Sequence, residues 1–454
     1  MRLFVILLAA TALAQPKPQT HPSNTTESLR GASAVSQNIA WASGTHGTYL
    51  RTTDAGRTWT AAQVPDAATL DFRAVVAFSA DEAFLMSAGP GDQSRIYHTT
   101  DAGKTWQLQF TNKNPKGFFD SMLFWDRTHG IVLGDPIPDE TDKESSKESG
   151  QLKFELLQTT DGQTWTPLPP ANLPPAIEGE GAFAASNTCL AILRVPSALT
   201  SKSTPTSRST PTSMPILTSE LRLTSELLLP TVIPSEARNL GFAGATNTAG
   251  RIAPRPAQPW KSGASAPREP SEKEGASAPD PNIWFATGGK AARVFHSPDR
   301  GQTWQVFNTP IVHGPDSAGI FSISFRDPLH GVIAGGDYKH PDQDGPNLAF
   351  TNDGGQTWTL SEIHPQAYFS AAAYDRHSND RRIKNPNKKD LDDNQAQVRL
   401  FIVGPKFVFD FRPPKNPTRI SPSKKSGIQF NAASPFPQGG ALIVGPKGSI
   451  AIIP

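Results

Sequence analysis

The chain predicts an all-β fold of seven repeated, four-stranded antiparallel units. One short motif occurs five times, the same order of apolar runs surrounds each copy, and the composition disfavours helices. The 454 residues include 43 Pro and 36 Gly against four Met and one Cys, with 37% hydrophobic and 19% charged residues. A chain of this length buries a substantial core, either as two or three ordinary domains or as one large closed architecture.

The motif copies are Arg51 to Trp59, His98 to Trp106, Gln158 to Trp165, His296 to Trp304 and Phe350 to Trp358. Each carries an Asp, a Gly and a closing Thr-Trp: Asp54, Gly56, Trp59; Asp101, Gly103, Trp106; Asp161, Gly162, Trp165; Asp299, Gly301, Trp304; and Asp353, Gly355, Trp358. The third copy is one residue shorter, between Asp161 and Gly162. An Asp that accepts backbone N–H bonds and a Gly that permits positive φ make a hairpin turn, and the Trp supplies a large apolar plate. Five of the nine Trp are used this way, a repetition that fits a structural task better than a catalytic one.

Four strands surround each motif. The first unit runs from Ser28, the second from Asp71 and the third from Phe118. The fourth has Glu180 to Ser186 as its first strand and resumes at Asn282, and the fifth starts at Ile320. Two units without the motif follow, over Tyr368 to Phe411 and Ile428 to Ile453. Units of 40 to 50 residues are the size of propeller blades, so seven fit once insertions are removed, with six as the second choice. The last unit lacks a fourth strand. Residues 15–27 are the expected N-terminal arm that supplies it and latches the ring, with blades over 28–195 and 282–453.

Met1-Arg2, an apolar run from Leu3 to Ala14 and the small-residue stop before Gln15 read as a signal peptide over residues 1–14, so the protein is expected to be exported, periplasmic or extracellular. No later stretch has the ~18 apolar residues of a membrane span. From Pro196 to Pro281 the periodicity vanishes and 13 of the 43 Pro occur, the composition of a disordered insertion. A second polar loop, 376–397, carries six Lys and Arg and four Asp and reads as solvated.

A formal charge of +2 with no basic stripe gives nucleic-acid binding no electrostatic motive. The single Cys189 excludes an intrachain disulfide and a Cys-based zinc site. No Gly-rich phosphate loop, no Gly-x-Ser-x-Gly elbow and no His pair with ligand spacing is present, so no cofactor or metal is expected. His129 and His330 each precede a Gly at equivalent turn positions and read as turn residues.

In a closed ring of blades the first strand of each lines the central channel. Superposing the units places Arg30, Arg73, Asp120, Glu180, Ser322, Ser370 and Asn431 there, with Asp135 and Asp337 at second-strand ends. Arg30, Arg73, Asp120 and Glu178 are the candidate channel-face binding residues. Asp135, Glu180 and Asp337 are the candidate carboxylates for general acid and base work of the kind glycoside hydrolysis demands.

The motif resembles the Asp-box, Ser/Thr-x-Asp-x-Gly-x-Thr-Trp, of BNR-like repeats in sialidase-like β-propellers. That resemblance implies turns between third and fourth strands, on the rim opposite the usual active face. A sialidase would need an Arg triad and a Tyr nucleophile, and none of Tyr49, Tyr97, Tyr338, Tyr368 and Tyr374 sits in such a setting. With Leu29-Arg30-Gly31, Trp41 to Gly44 and Leu50 to Asp54, residues 28–453 outside the two insertions are similar to the bacterial propellers related to the photosystem II stability and assembly factor. This resemblance implies a seven-bladed, non-enzymatic scaffold that grips a protein partner through an Arg patch, carried here by Arg30 and Arg73. Two functions follow: an exported scaffold binding a protein or polysaccharide through its channel face, or a carbohydrate-active enzyme using the channel-mouth carboxylates.

Overall fold

A computed structural model describes residues 18–138, 151–168, 173–193, 281–362, 367–375, 399–411, 418–420 and 429–454. The signal segment, the polar loop 376–397 and all of the insertion except Pro281 lie outside the described residues. Thr200–Ser277 separates as a unit of its own, all of it outside them.

The remaining unit is a seven-bladed β-propeller. Blade 1 comprises Leu29–Ala34, Ala40–Gly44, Thr48–Thr52 and Thr60–Gln63 from the hub outwards. Blades 2 and 3 repeat this order, with inner strands Asp71–Ala77 and Phe119–Phe124 and outer strands Gln107–Thr111 and Thr166–Pro167. The inner strands of blades 5 and 6 are Ala318–Phe325 and Ala371–Tyr374. Blade 7 takes three strands from Ala432–Pro435, Ala441–Gly445 and Ser449–Ile453, and its fourth from the other end of the chain. Gln19 and Thr20 pair antiparallel with Ile452 and Ala451, so one sheet joins both ends of the chain. Inner strands of successive blades touch all the way round, the seventh against the first. Seven sheets, not the alternative six, are what the ring contains.

The core follows the same count. Seven apolar clusters form, and each lies between two neighbouring blades. Leu29, Leu50 and Trp59 of blade 1, for example, pack on Phe436, Leu442 and Ile450 of blade 7. Both faces of every sheet are therefore buried, and second strands such as Ala83–Ala88 and Leu400–Gly404 are buried at every residue.

All five motif turns join third to fourth strands. In the first, the Thr52 and Thr58 hydroxyls donate to Asp54 at 2.8 and 2.6 Å, the Thr58 amide donates at 2.9 Å, and the Gly56 amide donates to Thr52 Oγ1 at 3.1 Å. Ala55 and Gly56 hold φ of 61° and 78°, and Arg300 with Gly301 does the same at 60° and 84°. The short third copy keeps one positive φ, at Gly162, where the others have two, which accounts for its missing residue.

Each turn leans on the preceding blade. Tyr49 Oη of blade 1 donates to Gly103 O of blade 2 at 2.7 Å. Gln109 of blade 2 takes the Trp165 Nε1–H of blade 3 at 3.0 Å and donates to Gly162 O at 3.0 Å. Trp59, Trp165, Trp304 and Trp358 are buried in these seams, and Trp106 is half-buried against Trp41 and Tyr49. The turns share their rim with the hairpins linking first and second strands, as Ala55 N to Asn38 O and Ala102 N to Asp81 O record.

Blade 4 departs from the sequence reading. Its inner strand is Leu190–Leu193, paired with Asn282–Ala286, and not Glu180 to Ser186. Only Glu180–Gly181 of the expected strand is extended and paired, with Gly289 and Gly288, and Gly288 pairs on its other side with Gly319 of blade 5. Residues 182–189 leave the sheet.

Candidate functional site

The 182–189 loop turns inward and joins four other blades at the hub. Arg73 of blade 2 donates from Nη1 to Ala184 O at 2.7 Å. Asn187 bonds blade 3, accepting from Ser121 Oγ and the Met122 amide at 2.9 and 2.8 Å and donating to Met122 O at 3.0 Å. The Ile323 amide of blade 5 donates to Thr188 O at 2.7 Å, and Ser186 Oγ donates to Ser370 O of blade 6 at 2.6 Å. Phe183 stacks on Phe321 of blade 5, with centroids 3.9 Å apart. Gly288 permits that stack, because a Cβ there would sit 2.1 Å from the Phe183 ring and 2.9 Å from Ala318 O.

Four inner strands carry a β-bulge near their start. The skipped residues are Arg30, Arg73, Asp120 and Phe321. A bulge re-aims the extra side chain out of the alternation, so these residues hold equivalent positions in their blades. Arg30 and Arg73 keep exposed surface there, whereas Asp120 and Phe321 are buried. The expected equivalence of Ser322 is off by one. Ser322 instead faces blade 6, with its Oγ accepting the Ala372 amide at 2.8 Å. Asn431 likewise closes the seam of blades 7 and 1, donating from Nδ2 to Leu29 O at 2.7 Å.

Asp71 brings the two arginines together. Its Oδ2 lies 2.7 Å from Arg73 Nε and its Oδ1 lies 3.5 Å from Arg30 Nε. The side chains of Arg30, Arg73 and Asp71 keep 22, 24 and 23% of their surface exposed, so solvent reaches the cluster. Burial first, then the Arg73 charge, pulls the Arg30 guanidinium below its ordinary range, and Asp71 opposes both. An aromatic wall adjoins them. Phe321 meets Tyr368 edge-on at 4.7 Å and Tyr338 at 6.1 Å. Burial raises the Tyr368 hydroxyl above its usual range although Arg30 and Arg73 pull it down, which keeps it a neutral hydrogen-bonding group.

The remaining candidates are distributed around this centre. Glu180 is buried and committed: Arg293 grips both carboxylate oxygens, Thr287 Oγ1 donates at 2.6 Å and the Ile177 amide at 2.9 Å. Asp135 sits at a bulge in Gly130–Pro138 and accepts the Ala182 amide at 3.1 Å, so it and Glu180 both fix the N-terminal base of the loop. Asp337 ends its strand and accepts the Lys339 amide and His340 Nδ1 at 2.9 and 2.8 Å. Burial pushes the Asp337 carboxyl up, yet the bonds from His340, Ser317 and Lys339 outweigh it and hold the group low. Asp120 is buried, and Glu178 is exposed beside exposed Ile177.

Burial, then the Asp120 charge, pushes the Cys189 thiol up, so it behaves as a core residue and not as a nucleophile. His129 and His330 each bond the Asp three residues earlier through Nδ1, at 2.9 and 2.8 Å, and shape their turns. No cluster of metal-ligating side chains occurs among the described residues. No helix there is long and apolar enough to cross a membrane.

Sequence reasoning missed Asp71, Phe183, Phe321 and the loop carbonyl of Ala184. The Asp71-Phe-Arg73 spacing was the available signal.

No family model matches the sequence, and no curated protein matches it. Solved structures do. YCF48 bound to D1 peptide aligns with a TM-score of 0.52 at 12% identity, over 97% of this chain and 98% of that one. The fold is similar to that of YCF48. YCF48 from Cyanidioschyzon merolae aligns at 0.48 and 14% identity, over 96% of this chain and 98% of that one. A GH74 xyloglucanase from Xanthomonas campestris aligns at 0.49 and 11% identity; 96% of this chain spans 53% of it.

Proposed function

We propose that the protein is an exported, non-enzymatic scaffold whose channel mouth grips a protein partner by a carboxylate, from an acidic side chain or a chain end. One observation carries this reading: two arginines on adjacent blades converge on a single Asp71, which leaves one net positive charge beside an aromatic wall. A second carboxylate is the group such a pair attracts, because guanidinium binds carboxylate in directed, charge-assisted hydrogen bonds. The D1 peptide bound to YCF48 is a precedent for a propeller of this fold holding a peptide. The glycosidase alternative is the weaker reading, because the Glu180 oxygens already hold Arg293, Thr287 and the Ile177 amide.

The test is a peptide array with acidic, free-carboxyl and C-terminally amidated members, followed by titration calorimetry of the hits. Arg30→Gln and Arg73→Gln are expected to weaken carboxylate-bearing hits by about tenfold or more each, the ~1.5–3 kcal/mol of a charged hydrogen bond. Unchanged affinity in both variants, or binding to polysaccharides alone, refutes the reading. Export is checked by sequencing the mature N-terminus from a bacterial host, expected at Gln15.

A further inference from the structure

The seams of blade 5 with 6 and of blade 6 with 7 lack an element that the other five share. Five seams receive a motif indole from the later blade: Trp59, Trp106, Trp165, Trp304 and Trp358. The sequence has no Trp after Trp358, so blades 6 and 7 supply none. At the seam of blades 5 and 6 the earlier blade brings no indole of its own either, unlike blades 1 and 4. Blades 1 and 4 place Trp41 and Trp284 opposite Arg51 and His296, and blade 5 has Val332 at that position, opposite Phe350. Trp41 and Trp284 reach across their seams, donating from Nε1 to Ser79 O and Gly354 O at 2.9 and 2.8 Å. A valine has neither the reach nor the donor.

A cavity of about 480 Å³ opens at this seam. Its walls include Phe350, Tyr374, Leu400 and Phe411, with Arg326 and His330 at a polar end. The Phe350 and Phe411 rings stand 6.4 Å apart at 33°, from opposite sides of the seam. Asp327 neutralises the polar end, 3.3 Å from Arg326 Nε and 2.8 Å from His330 Nδ1. The volume falls within the ~300–1,000 Å³ of small-molecule sites, and apolar walls with a few convergent polar groups are their usual lining. A charge-balanced end offers hydrogen bonds without strong selection for an anion.

We propose that this seam cavity binds small planar heteroaromatic molecules of indole size or somewhat larger, with the ring against Phe350, Leu400 and Phe411 and the polar edge toward His330. It is independent of the channel mouth: five seams already seat an indole from their own chain, and this indole-free seam, where the cavity opens, accepts one from solution.

The probe is 5-fluoroindole, titrated into the full chain and followed by ¹⁹F NMR. Saturable one-site binding with Kd on the order of 0.1 mM is expected for so small a ligand. Thr359 and Asn352 line the cavity from exposed positions, so Thr359→Trp and Asn352→Trp preserve the fold while occluding the space. Each is expected to weaken binding at least tenfold. Thr60→Trp, at the matching position of blade 1, is expected to leave it unchanged. Absence of saturable binding, or equal affinity in both occluding variants and the parent protein, overturns the proposal.

Discussion

Arg73 Nη1 donates to Ala184 O at 2.7 Å, which ties the second blade to a loop of the fourth across the hub. The same guanidinium pairs with Asp71, so one side chain both anchors the loop and forms the candidate carboxylate grip. Arg73→Gln is therefore expected to loosen residues 182–189 as well as weaken ligand. Hydrogen exchange of the Ala182 to Cys189 amides checks this, with faster exchange expected there and unchanged exchange in the blade 7 strands.

Asn187 is the loop's strongest tether. It makes three buried hydrogen bonds to Ser121 and Met122 from a left-handed backbone, φ 62°, which Asn tolerates better than most residues. Asn187→Ala leaves those partners unsatisfied and is expected to cost about 3 kcal/mol in chemical denaturation. Asn187→Gly relieves the backbone but not the bonds, so most of the loss must remain. Full recovery in the glycine variant would assign the effect to strain instead.

Glu180 and Arg293 form a buried pair, and removing one partner strands the other's charge. Glu180→Gln is expected to destabilise by roughly 3–5 kcal/mol. Arg293→Met combined with Glu180→Leu removes both charges and is expected to recover much of that. A double variant no more stable than the single one would show that the neighbouring hydrogen bonds, not the unpaired charge, dominate.

The N-terminal strand closes the ring with few residues. Besides the Gln19 and Thr20 pairing, the His21 amide donates to Ile450 O at 3.2 Å and Asn24 Nδ2 to Trp59 O at 2.7 Å. Deleting residues 15–27 also removes the bonds that Glu27 accepts from the Gly448 amide and the Thr45 hydroxyl. At ~1 kcal/mol per hydrogen bond the loss of about 6 kcal/mol lowers Tm by roughly 10 °C. An unchanged melting curve refutes a closing role.

Acid should act through the turns. Bonds from the Thr58 hydroxyl and amide hold Asp54 to about 2, and the Thr164 and Gln163 amides hold Asp161 to about 2, both below the ~3.9 of an unfolded chain. A depressed folded value means the stabilisation is complete above pH ~4 and is lost as pH falls toward 2. Tm measured between pH 6 and 2 is expected to drop across that window, and Asp54→Asn with Asp161→Asn to flatten the drop. An identical acid slope in the double variant would remove the turns from the explanation.

The wheel itself was legible because Asp-Gly-Thr-Trp recurs at blade intervals and each indole fills a seam; repetition converts a weak local signal into an architectural one. The hub was less legible. Glu180 to Ser186 reads as the inner strand, but the segment that pairs with Asn282 to Phe285 is the short apolar run Leu190 to Leu193 just before the insertion. The strand's end was legible and its start was not. The bulges moved one equivalence by a residue, from Ser322 to Phe321, while Arg30, Arg73 and Asp120 share the equivalent bulge position. Glu180 was misread because a carboxylate near a channel and one locked on a distant Arg293 look alike in one dimension.

Leu193 pairs with Asn282 and Tyr374 with Leu400, so both long excursions depart and return through adjacent backbone positions, ~5 Å apart. Splicing at such a gate adds only logarithmic loop entropy and leaves hub geometry untouched. Those two doorways are thus natural graft points, where a fluorescent reporter or affinity handle would ride on the wheel without obstructing its arginine-bearing mouth.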